Sequence, residues 1–355
     1  MVLCTYITTE KQLQEAIEIW NKEKILAIDI ECENNLHHYG MYISLIQIST
    51  YTTNWVVDVI AISSIKPLLE LFENPSVKKV FHDVSFDFRI INSQFNCRPK
   101  NVYDTQLAAL FLGKEKVGLG SLLEEYFSIS TEKKFQRVDW TRRPLSKEML
   151  EYAMGDTANL LELKDKLEIE LEEKGRLHWV KEECRHIENI EFSYNEQSYL
   201  DLAGARSLTP QQRSVLHTLF DIRKKMAQQV DKPVFMIMHN EQLISFAKNS
   251  PCSWKSLHGV HPIVRQNDKE LKMAVEKAKQ LEEEYPKKPR KRLTLEQAER
   301  IDKLTEQRNA IANGLGIKRH LLVSSDQILQ SVVKESLDVM RPWQQELLKD
   351  KNYHA

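Results

Sequence analysis

The sequence predicts a mixed α/β sheet with flanking helices in its first half and wholly helical structure in the remainder. Three observations support this fold class. Three β-branched runs lie close together within residues 25–60, alternating helix-like and strand-like segments follow them, and strand-like runs cease from about residue 115. A series of strands that continues as alternating helix and strand is typical of a sheet covered by helices.

The first elements follow from local signals. Thr9 and Gln12 have the spacing of a capping box, which predicts a helix over residues 11–20. The β-branched runs predict strands, and their short connections suit antiparallel neighbours. Strands are predicted at 25–33, 42–50 and 54–60. The elements predicted after them are a helix from 65 that stops before Pro75, a strand at 77–83, a helix at 85–95 and, over 101–112, the end of a strand that passes into a helix.

The second half carries helical periodicity throughout. Residues 119–127 and 146–175 repeat apolar side chains at helical spacing. Residues 209–212 (TPQQ) combine an N-cap, a proline at the first helical position and a glutamine at the third, which predicts a helix start. Asn240 and Ser253 are expected to cap two shorter helices further on. The apolar residues after the TPQQ signal share one helical face: Val215, Leu216, Leu219 and Ile222.

Length and composition restrict the class of protein. A chain of 355 residues suits two or three domains, and 42% hydrophobic with 28% charged residues is typical of a soluble globular protein. No apolar run approaches the roughly 18 residues of a membrane span, so no membrane partner is expected. The N-terminal segment becomes polar too early for a signal peptide, which favours the cytoplasm. Five scattered cysteines without a CxxC pair indicate neither a zinc cluster nor a disulfide framework.

The net charge of −1 hides an asymmetry between the two halves. Residues 1–200 hold 23 Lys and Arg against 32 Asp and Glu, a net charge of −9, whereas residues 201–355 hold 27 against 19, a net charge of +8. Acidic clusters suit hard cations and basic surfaces suit phosphate backbones, although ordinary surface variation explains such a split equally well.

Two carboxylates alternate along the first predicted strand. Asp29 and Glu31 are two residues apart, so on a strand both project from the face opposite to Ile28 and Ile30. Such a pair could hold a divalent cation, or it could belong to an ordinary solvent-facing strand. Glu33 continues the same face, which slightly favours the second interpretation.

Further acidic side chains occur at helix positions. Tyr152 and Asp156 are four residues apart, which places a phenol and a carboxylate side by side on one helical face. Asp87 begins the helix after the strand at 77–83, and Asp104 lies at a similar helix start, where carboxylates commonly interact with the helix dipole. Each of these signals is unremarkable when it is taken alone.

Together the acids and the tyrosine occur in the order DxE, D, YxxxD, which resembles the DEDD exonuclease superfamily in its tyrosine-bearing branch. That superfamily has a ribonuclease H-like fold. The resemblance covers roughly residues 5–190 and extends well beyond the acids. Segments similar to the ribonuclease D pattern are LIQIS at 45–49, KVFHDVSFD at 79–87, YDTQLAALFLG at 103–113 and KKFQRVDWTRRPLSKEMLEYAMGD at 133–156.

The resemblance implies roles for the matched residues. It implies that Tyr152 orients the attacking water or helps to deprotonate it, and that two Mg²⁺ or Mn²⁺ ions are bound by four carboxylates: Asp29, Glu31, Asp87 and Asp156. His82, Asp83 and Asp104 match family-like positions and are expected to be structural supports. His37 and His38 are poor candidates for metal ligands because hard cations prefer oxygen.

Two arginines lie in the loop DWTRRPL before the last motif. Arg142 and Arg143 are candidates for contacts with substrate phosphates, since guanidinium groups bind phosphate in a bidentate manner. Surface salt bridges explain the same residues equally well, and the sequence leaves both interpretations open.

The helical half resembles a second known module. Residues 205–285 are similar to an HRDC domain, a small helical module thought to bind nucleic acid, and residues 293–350 resemble a more divergent second copy. The predicted domains are therefore an exonuclease domain at 1–195, these two helical modules and a basic linker at 286–292.

The resemblance implies a ribonuclease D-type 3′→5′ exoribonuclease. Such an enzyme would process tRNA precursors and other small structured RNAs, release 5′-monophosphates and need no obligate protein partner. Two alternatives remain open at this stage. A DNA 3′→5′ exonuclease would use the same acids, and a catalytically inactive RNA-binding scaffold would retain the fold alone.

Overall fold

A computed structural model describes residues 4–131, 134–135, 137–190, 197–286 and 293–349. All but the first residue of the predicted linker at 286–292 lie outside the described residues. Contacts divide the chain into two compact units. The first unit comprises Met1–Glu31, Ile43–Ser193 and Lys291–Ala355, and the second comprises Cys32–Tyr42 and Tyr194–Arg290.

In the described part of the chain, a six-stranded mixed sheet has the order β1-β4-β3-β2-β5-β6. The antiparallel pair β3–β4 was expected from the short connection between these strands, and β1–β4, β2–β5 and β5–β6 are parallel. The predicted mixed sheet is confirmed. The strands are β1 (Cys4–Ile7), β2 (Ile25–Asn34), β3 (Met41–Ser49), β4 (Asn54–Asp58), β5 (Lys78–Phe81) and β6 (Val102–Asp104).

Helices of the first unit connect and follow these strands. The capping box of Thr9 and Gln12 is present as predicted. Residues 146–175, which carry helical periodicity, form two helices, because the backbone at Asn159 leaves the helical region with φ −112° and ψ 6°. These helices are α1 (Glu10–Trp20), α2 (Lys66–Glu73), α3 (Val84–Phe95), α4 (Thr105–Leu112), α5 (Leu119–Phe127), α6 (Lys147–Ala158), α7 (Leu160–Glu173) and α8 (Leu177–Asn189).

The second unit contains the segment similar to an HRDC domain. Thr209 and Gln212 form the predicted capping box, whereas α11 is capped by His239, so the expectation that Asn240 caps it is wrong. The expectation for Ser253 is also wrong, because a turn follows it and the next helix begins at Pro262 with His261 as its cap. Asn240 is already helical, and its side-chain oxygen accepts a hydrogen bond from Arg223 at 2.8 Å. The helices of the second unit are α9 (Pro210–Val230), α10 (Val234–Ile237), α11 (Asn240–Lys248), α12 (Pro262–Gln266) and α13 (Asp268–Ala278).

The last helical block packs within the first unit rather than apart from it. Trp343 is 1% exposed, and its ring stacks on Trp179 with centroids 5.2 Å apart and meets Phe111 edge-on at 5.3 Å. The block predicted as a domain at 293–350 therefore shares a hydrophobic core with helices α4, α7 and α8. Its helices are α14 (Leu295–Leu315), α15 (Arg319–Leu322), α16 (Ser325–Lys334) and α17 (Pro342–Lys349).

The two helical blocks have the same internal arrangement. Helices α9 and α14 each have 21 residues and are followed by a four-residue helix, α10 or α15. In each block a buried arginine on the long helix, Arg223 or Arg308, binds a backbone carbonyl 15 residues further on and a polar side chain 17 residues further on. This shared contact agrees with the sequence resemblance between the blocks.

Candidate active site

Strand β2 brings two carboxylates to one face of the sheet. Ile28 and Ile30 point into the core, with exposed fractions of 0% and 7%, while Asp29 and Glu31 on the opposite face are half-buried. One carboxylate oxygen from each of Asp29, Glu31 and Asp156 lies within 4.8 Å of the other two. A strand residue pair and a helix residue more than a hundred positions later therefore converge, as the motif order predicted.

Helix α6 carries Asp156 and Tyr152 toward this face. The side chain of Ser146 caps the helix by accepting a hydrogen bond from the backbone N–H of Met149. Thr157, next to Asp156, is buried, and its hydroxyl lies 2.6 Å from the hydroxyl of Ser49 on β3. This contact between α6 and the sheet fixes the position from which Asp156 projects.

Asp87 lies in the first turn of α3. It is 6% exposed, and burial first and the charge of Asp29 second raise its pKa, so the two carboxylates interact electrostatically. The start of α3 is held by Asp104, whose carboxylate accepts hydrogen bonds from the backbone N–H groups of Asp83 at 3.0 Å and Val84 at 3.1 Å. The same carboxylate caps α4 through the N–H of Gln106 at 2.8 Å. Asp104 is thus a structural support for α3, as expected.

His82 and Asp83, which precede α3 in the family-like motif, were also expected to be structural supports. The Nδ1 atom of His82 lies 2.9 Å from the hydroxyl of Thr105, and burial lowers the pKa of His82 to about 4, so the ring is neutral at pH 7. Burial is likewise the main cause that raises the pKa of Asp83, followed by the charge of Asp104.

The carboxylate cluster concentrates negative charge. Burial raises the pKa of Asp29 to about 6, and burial together with the charge of Asp29 raises the pKa of Asp156 to about 8. The pKa values of Glu31 and Asp87 are raised well above their usual range by the same two causes, burial first and neighbouring carboxylates second. No described lysine, arginine or histidine forms an ion pair with any of the four. Burial therefore raises these pKa values without an opposite charge to counter it.

This donor set fits hard divalent cations. Carboxylate oxygens are the ligands that Mg²⁺ and Mn²⁺ prefer, and the cluster contains no sulfur or nitrogen donor. A bound divalent cation would supply the positive charge that the described residues do not provide.

Aromatic side chains surround Tyr152. Its ring centroid lies 5.4 Å from that of Phe135 and 6.0 Å from that of Trp140, and the Trp140 ring is stacked at an interplanar angle of 30°. The pKa of Tyr152 is raised by burial and then by the charges of Asp156, Glu31 and Asp29, so the phenol is protonated at neutral pH. A cavity of about 370 Å³ opens beside Tyr152 and Asp156.

The structure separates the roles of the two candidate arginines. All five guanidinium N–H groups of Arg143 have acceptors within the protein, so the expectation that Arg143 contacts substrate phosphate is corrected. The side chain of Arg142 is 82% exposed, although its Nε lies 3.2 Å from Asp139. Acceptors of Arg143 are both carboxylate oxygens of Asp58, the carbonyls of Trp140 and Arg142, and the hydroxyl of Ser44.

Glu33, His37 and His38 lie outside the cluster of Asp29, Glu31 and Asp156. Glu33 is 2% exposed and accepts hydrogen bonds from the backbone N–H groups of Leu36 at 2.5 Å and His37 at 3.0 Å. It therefore closes the turn after β2 rather than extending the acidic face. The ring of His37 lies 3.4 Å from Glu33, and the ring of His38 lies 2.6 Å from Asp231.

Two contacts that position the site were missed from the sequence. Asp58, at the end of β4, is bound by Arg143, and the Ser49–Thr157 contact docks α6 on β3. An acidic residue at the end of the apolar run NWVVD was the available signal for the first contact, because a carboxylate beside a buried strand needs a partner. The second contact joins two small hydroxyl residues that are 108 positions apart, and local sequence carries no signal for it.

Comparisons with known proteins agree with this geometry. A family model described as 3′-5′ exonuclease matches residues 4–172, and one described as HRDC domain matches residues 212–269. Ribonuclease D of Escherichia coli (strain K12) is 30% identical over 289 residues, which cover 80% of this chain and 77% of that protein. The chain belongs to the ribonuclease D family.

Relatives of this family differ in length. The crystal structure of Escherichia coli RNase D, described as an exoribonuclease involved in structured RNA processing, has a TM-score of 0.74 and 27% identity and covers 99% of this chain and 98% of that chain. Exosome complex component 10 of Homo sapiens is 29% identical over 293 residues, which cover 78% of this chain and 33% of that protein. The chain thus spans about a third of the length of that relative but most of a ribonuclease D.

Proposed function

We propose that this protein is a 3′→5′ exoribonuclease that hydrolyses RNA one nucleotide at a time with two divalent cations, Mg²⁺ or Mn²⁺. The observation that carries the proposal is the convergence of Asp29, Glu31 and Asp156, with Asp87 beside them, in a ribonuclease D-family chain. When bound, such a cation pair activates water and stabilises the leaving 3′-oxygen, while the ribonuclease D relatives indicate RNA as the substrate.

The protein's own residues would hold and orient the reactants. The four carboxylates would bind the cations through oxygen, and Asp87 would do so from a helix fixed by Asp104. Since its pKa is raised, Tyr152 keeps its proton and can donate a hydrogen bond to the attacking water rather than act as a free base. The cavity of about 370 Å³ beside Tyr152 gives room for the 3′-terminal nucleotide. Arg142, whose side chain is 82% exposed, remains a candidate for a phosphate contact.

The proposed substrates are tRNA precursors and other small structured RNAs, and the proposed products are 5′-monophosphates. The described HRDC module, the +8 charge of residues 201–355 and the similar helical block after it support an RNA substrate. We infer that this last block is a divergent second HRDC-like module, because Arg308 repeats the contacts of Arg223. Cys97, Cys184 and Cys252 carry free thiols, which fits the reducing cytoplasm.

Digestion of a 3′-extended tRNA, with products sized on a gel, tests the proposal. Cleavage in Mg²⁺ is expected to shorten the RNA stepwise from the 3′ end and to stop in EDTA. Asp29→Asn should abolish turnover while RNA binding in Ca²⁺ survives, because the substitution removes a cation ligand but no basic residue. Asp165→Asn, an equivalent change at a half-exposed residue of α7, should cleave like the wild type.

The same digestion discriminates the alternatives. A matched DNA oligonucleotide that is degraded faster than the RNA would identify a DNA exonuclease. Undiminished cleavage by Asp29→Asn would remove Asp29 from the mechanism, and RNA binding by the wild type without any cleavage in Mg²⁺ or Mn²⁺ would identify a non-catalytic scaffold.

A further inference from the structure

The loop before α6 is anchored to the sheet by a buried ion pair. The side chain of Asp58 is 1% exposed, and Arg143 binds it in a bidentate manner through Nε at 2.5 Å and Nη2 at 2.7 Å. The hydroxyl of Tyr6 on β1 donates a third hydrogen bond to the same carboxylate. Burial alone would raise the pKa of Asp58, but the hydrogen bonds from Arg143 and Tyr6 outweigh it and lower that pKa, so the pair is ionised at neutral pH.

The same guanidinium also holds the loop backbone. Its Nη1 donates to the carbonyls of Trp140 at 2.7 Å and Arg142 at 2.8 Å, and the hydroxyl of Ser44 on β3 donates to the Trp140 carbonyl at 2.5 Å. The backbone at Trp140 is therefore bound from two sides, by an arginine of its own loop and by a serine of the sheet.

The Trp140 side chain connects this anchored backbone to Tyr152 by packing against the Tyr152 ring. Its side chain is 3% exposed, and its ring stacks on the Tyr152 ring at 6.0 Å, with the Phe135 ring 6.5 Å from Trp140 and 5.4 Å from Tyr152. Trp140 belongs to a small hydrophobic cluster with Leu45, Val56 and Ala153, which is separate from the main core of the unit. A shift of the Trp140 backbone would therefore move the ring against which Tyr152 rests.

We propose that Asp58 and Arg143 are positioning residues that set the location of the Tyr152 hydroxyl through Trp140. Neither residue belongs to the carboxylate cluster, and the donors of Arg143 are all occupied, so its role is to hold protein rather than substrate. The inference rests on the proposed nuclease function, because positioning matters for rate only if the Tyr152 hydroxyl orients the attacking water.

Arg143→Lys is the test variant. Lysine keeps the positive charge beside Asp58 but cannot donate to Asp58 and to the Trp140 carbonyl in the same planar arrangement. We expect kcat on a short RNA to fall by about 10- to 100-fold, because a misplacement of about 1 Å can cost up to about 100-fold in rate. The KM and the Mg²⁺ concentration for half-maximal activity should stay within about twofold, because the cation ligands are untouched.

A double-variant cycle separates positioning from general damage. Tyr152→Phe removes the hydroxyl, so adding Arg143→Lys to it should cost less than about threefold more. Arg176→Lys is the matched control, since Arg176 is also a buried arginine that binds two carbonyls of the same unit, those of Phe111 and Leu315, and it should retain wild-type kcat. All variants are compared below their melting temperatures.

Three outcomes would overturn the inference: wild-type kcat in folded Arg143→Lys, a full additional loss in the Tyr152→Phe background, or a large shift in the Mg²⁺ requirement. If Arg143→Lys does not fold, Trp140→Phe replaces it, with the same expected signature, since it changes the ring and leaves the ion pair in place.

A readout without RNA keeps the result independent of the proposed function. With 3-fluorotyrosine at position 152, the ¹⁹F chemical shift reports the packing of the ring against Trp140. Arg143→Lys should change this shift and Arg176→Lys should not. An unchanged shift overturns the positioning role, whereas a changed shift in a protein that never cleaves RNA would overturn only the nuclease proposal.

Discussion

At the scale of single residues, the candidate site conflicts with the stability of the fold. Three carboxylates converge and a fourth, that of Asp87, interacts with the charge of Asp29; none has a described cationic partner, and burial raises the pKa of each. Ionising them costs free energy that only a bound cation or a proton can offset. Residues selected for cation binding thus weaken the metal-free protein, and the conflict should be measurable through pH.

Thermal unfolding in EDTA and in Mg²⁺ tests this conflict. The folded pKa values, about 6 for Asp29 and about 8 for Asp156, exceed those of unfolded aspartate near 4. The folded state therefore binds more protons, and stability from these groups is present at low pH and is lost as pH rises from about 4 to about 8. The metal-free Tm should fall over that range, and the gain in Tm on adding Mg²⁺ should grow with pH.

Asp29→Asn serves as the comparison for that experiment. It removes one buried charge, so its metal-free Tm should exceed that of the wild type at pH 8 and should respond less to Mg²⁺. A Mg²⁺-induced gain in Tm that is the same at pH 5 and pH 8 would contradict the electrostatic account of the cluster.

At the scale of elements, local signals located the helices and strands well. The capping boxes at Thr9 and Thr209 and the alternation at Asp29 and Glu31 depend on residues at most four positions apart, and each is present in the structure. Long-range pairings decided the rest. The ion pair of Arg143 with Asp58 joins residues 85 positions apart, so the sequence near either residue does not identify its partner.

The attachment of the last helical block to the exonuclease fold is another long-range pairing. Glu183 on α8 accepts hydrogen bonds from Trp343 Nε1 at 3.0 Å and from Arg341 Nη2 at 2.8 Å. Trp343→Ala should lower the free energy of unfolding by about 3–5 kcal/mol, the usual cost of removing a buried aromatic ring. It should also reduce the hydrogen-exchange protection of α8, because the Trp343 ring packs on Trp179 of that helix.

Leu295→Ala on α14 is the control for this prediction. Its side chain is 79% exposed, so its effect should stay within about 0.5 kcal/mol. Full protection of α8 in Trp343→Ala would show that the block contributes nothing to the exonuclease fold, despite the shared core.

At the scale of the whole molecule, the predictions of fold class and family are confirmed. The predicted boundary of a separate last domain is not, because that block belongs to the first unit. Two blocks with similar helical patterns were predicted as successive modules, because helix signals say nothing about which core a helix joins. Residues 293–349 instead contribute Ile311, Leu322 and Trp343 to the core around α4, α7 and α8. Roles of the site residues remain predictions, since geometry brings them together without showing turnover.

Because of this shared core, RNA binding by the basic residues 201–355 cannot be tested by truncation. Truncation after residue 285 would expose the aromatic surface around Trp179, so a changed affinity would report unfolding as much as lost charge. Neutralising exposed lysines of the second unit, which contains the HRDC domain, avoids this problem. Lys225 on α9 and Lys248 at the end of α11 are both exposed, and Lys11 on α1, within the acidic residues 1–200, is an exposed control.

If these lysines contact RNA phosphates, Lys225→Gln combined with Lys248→Gln should flatten the dependence of log affinity on log salt. Each lost contact with single-stranded RNA reduces the slope by about 0.7, because fewer counterions are released on binding. Binding is measured in Ca²⁺ with the Asp29→Asn protein, so that no RNA is degraded during the titration. Lys11→Gln should leave the slope unchanged, and an equal slope for the double variant would show that these HRDC lysines make no phosphate contacts.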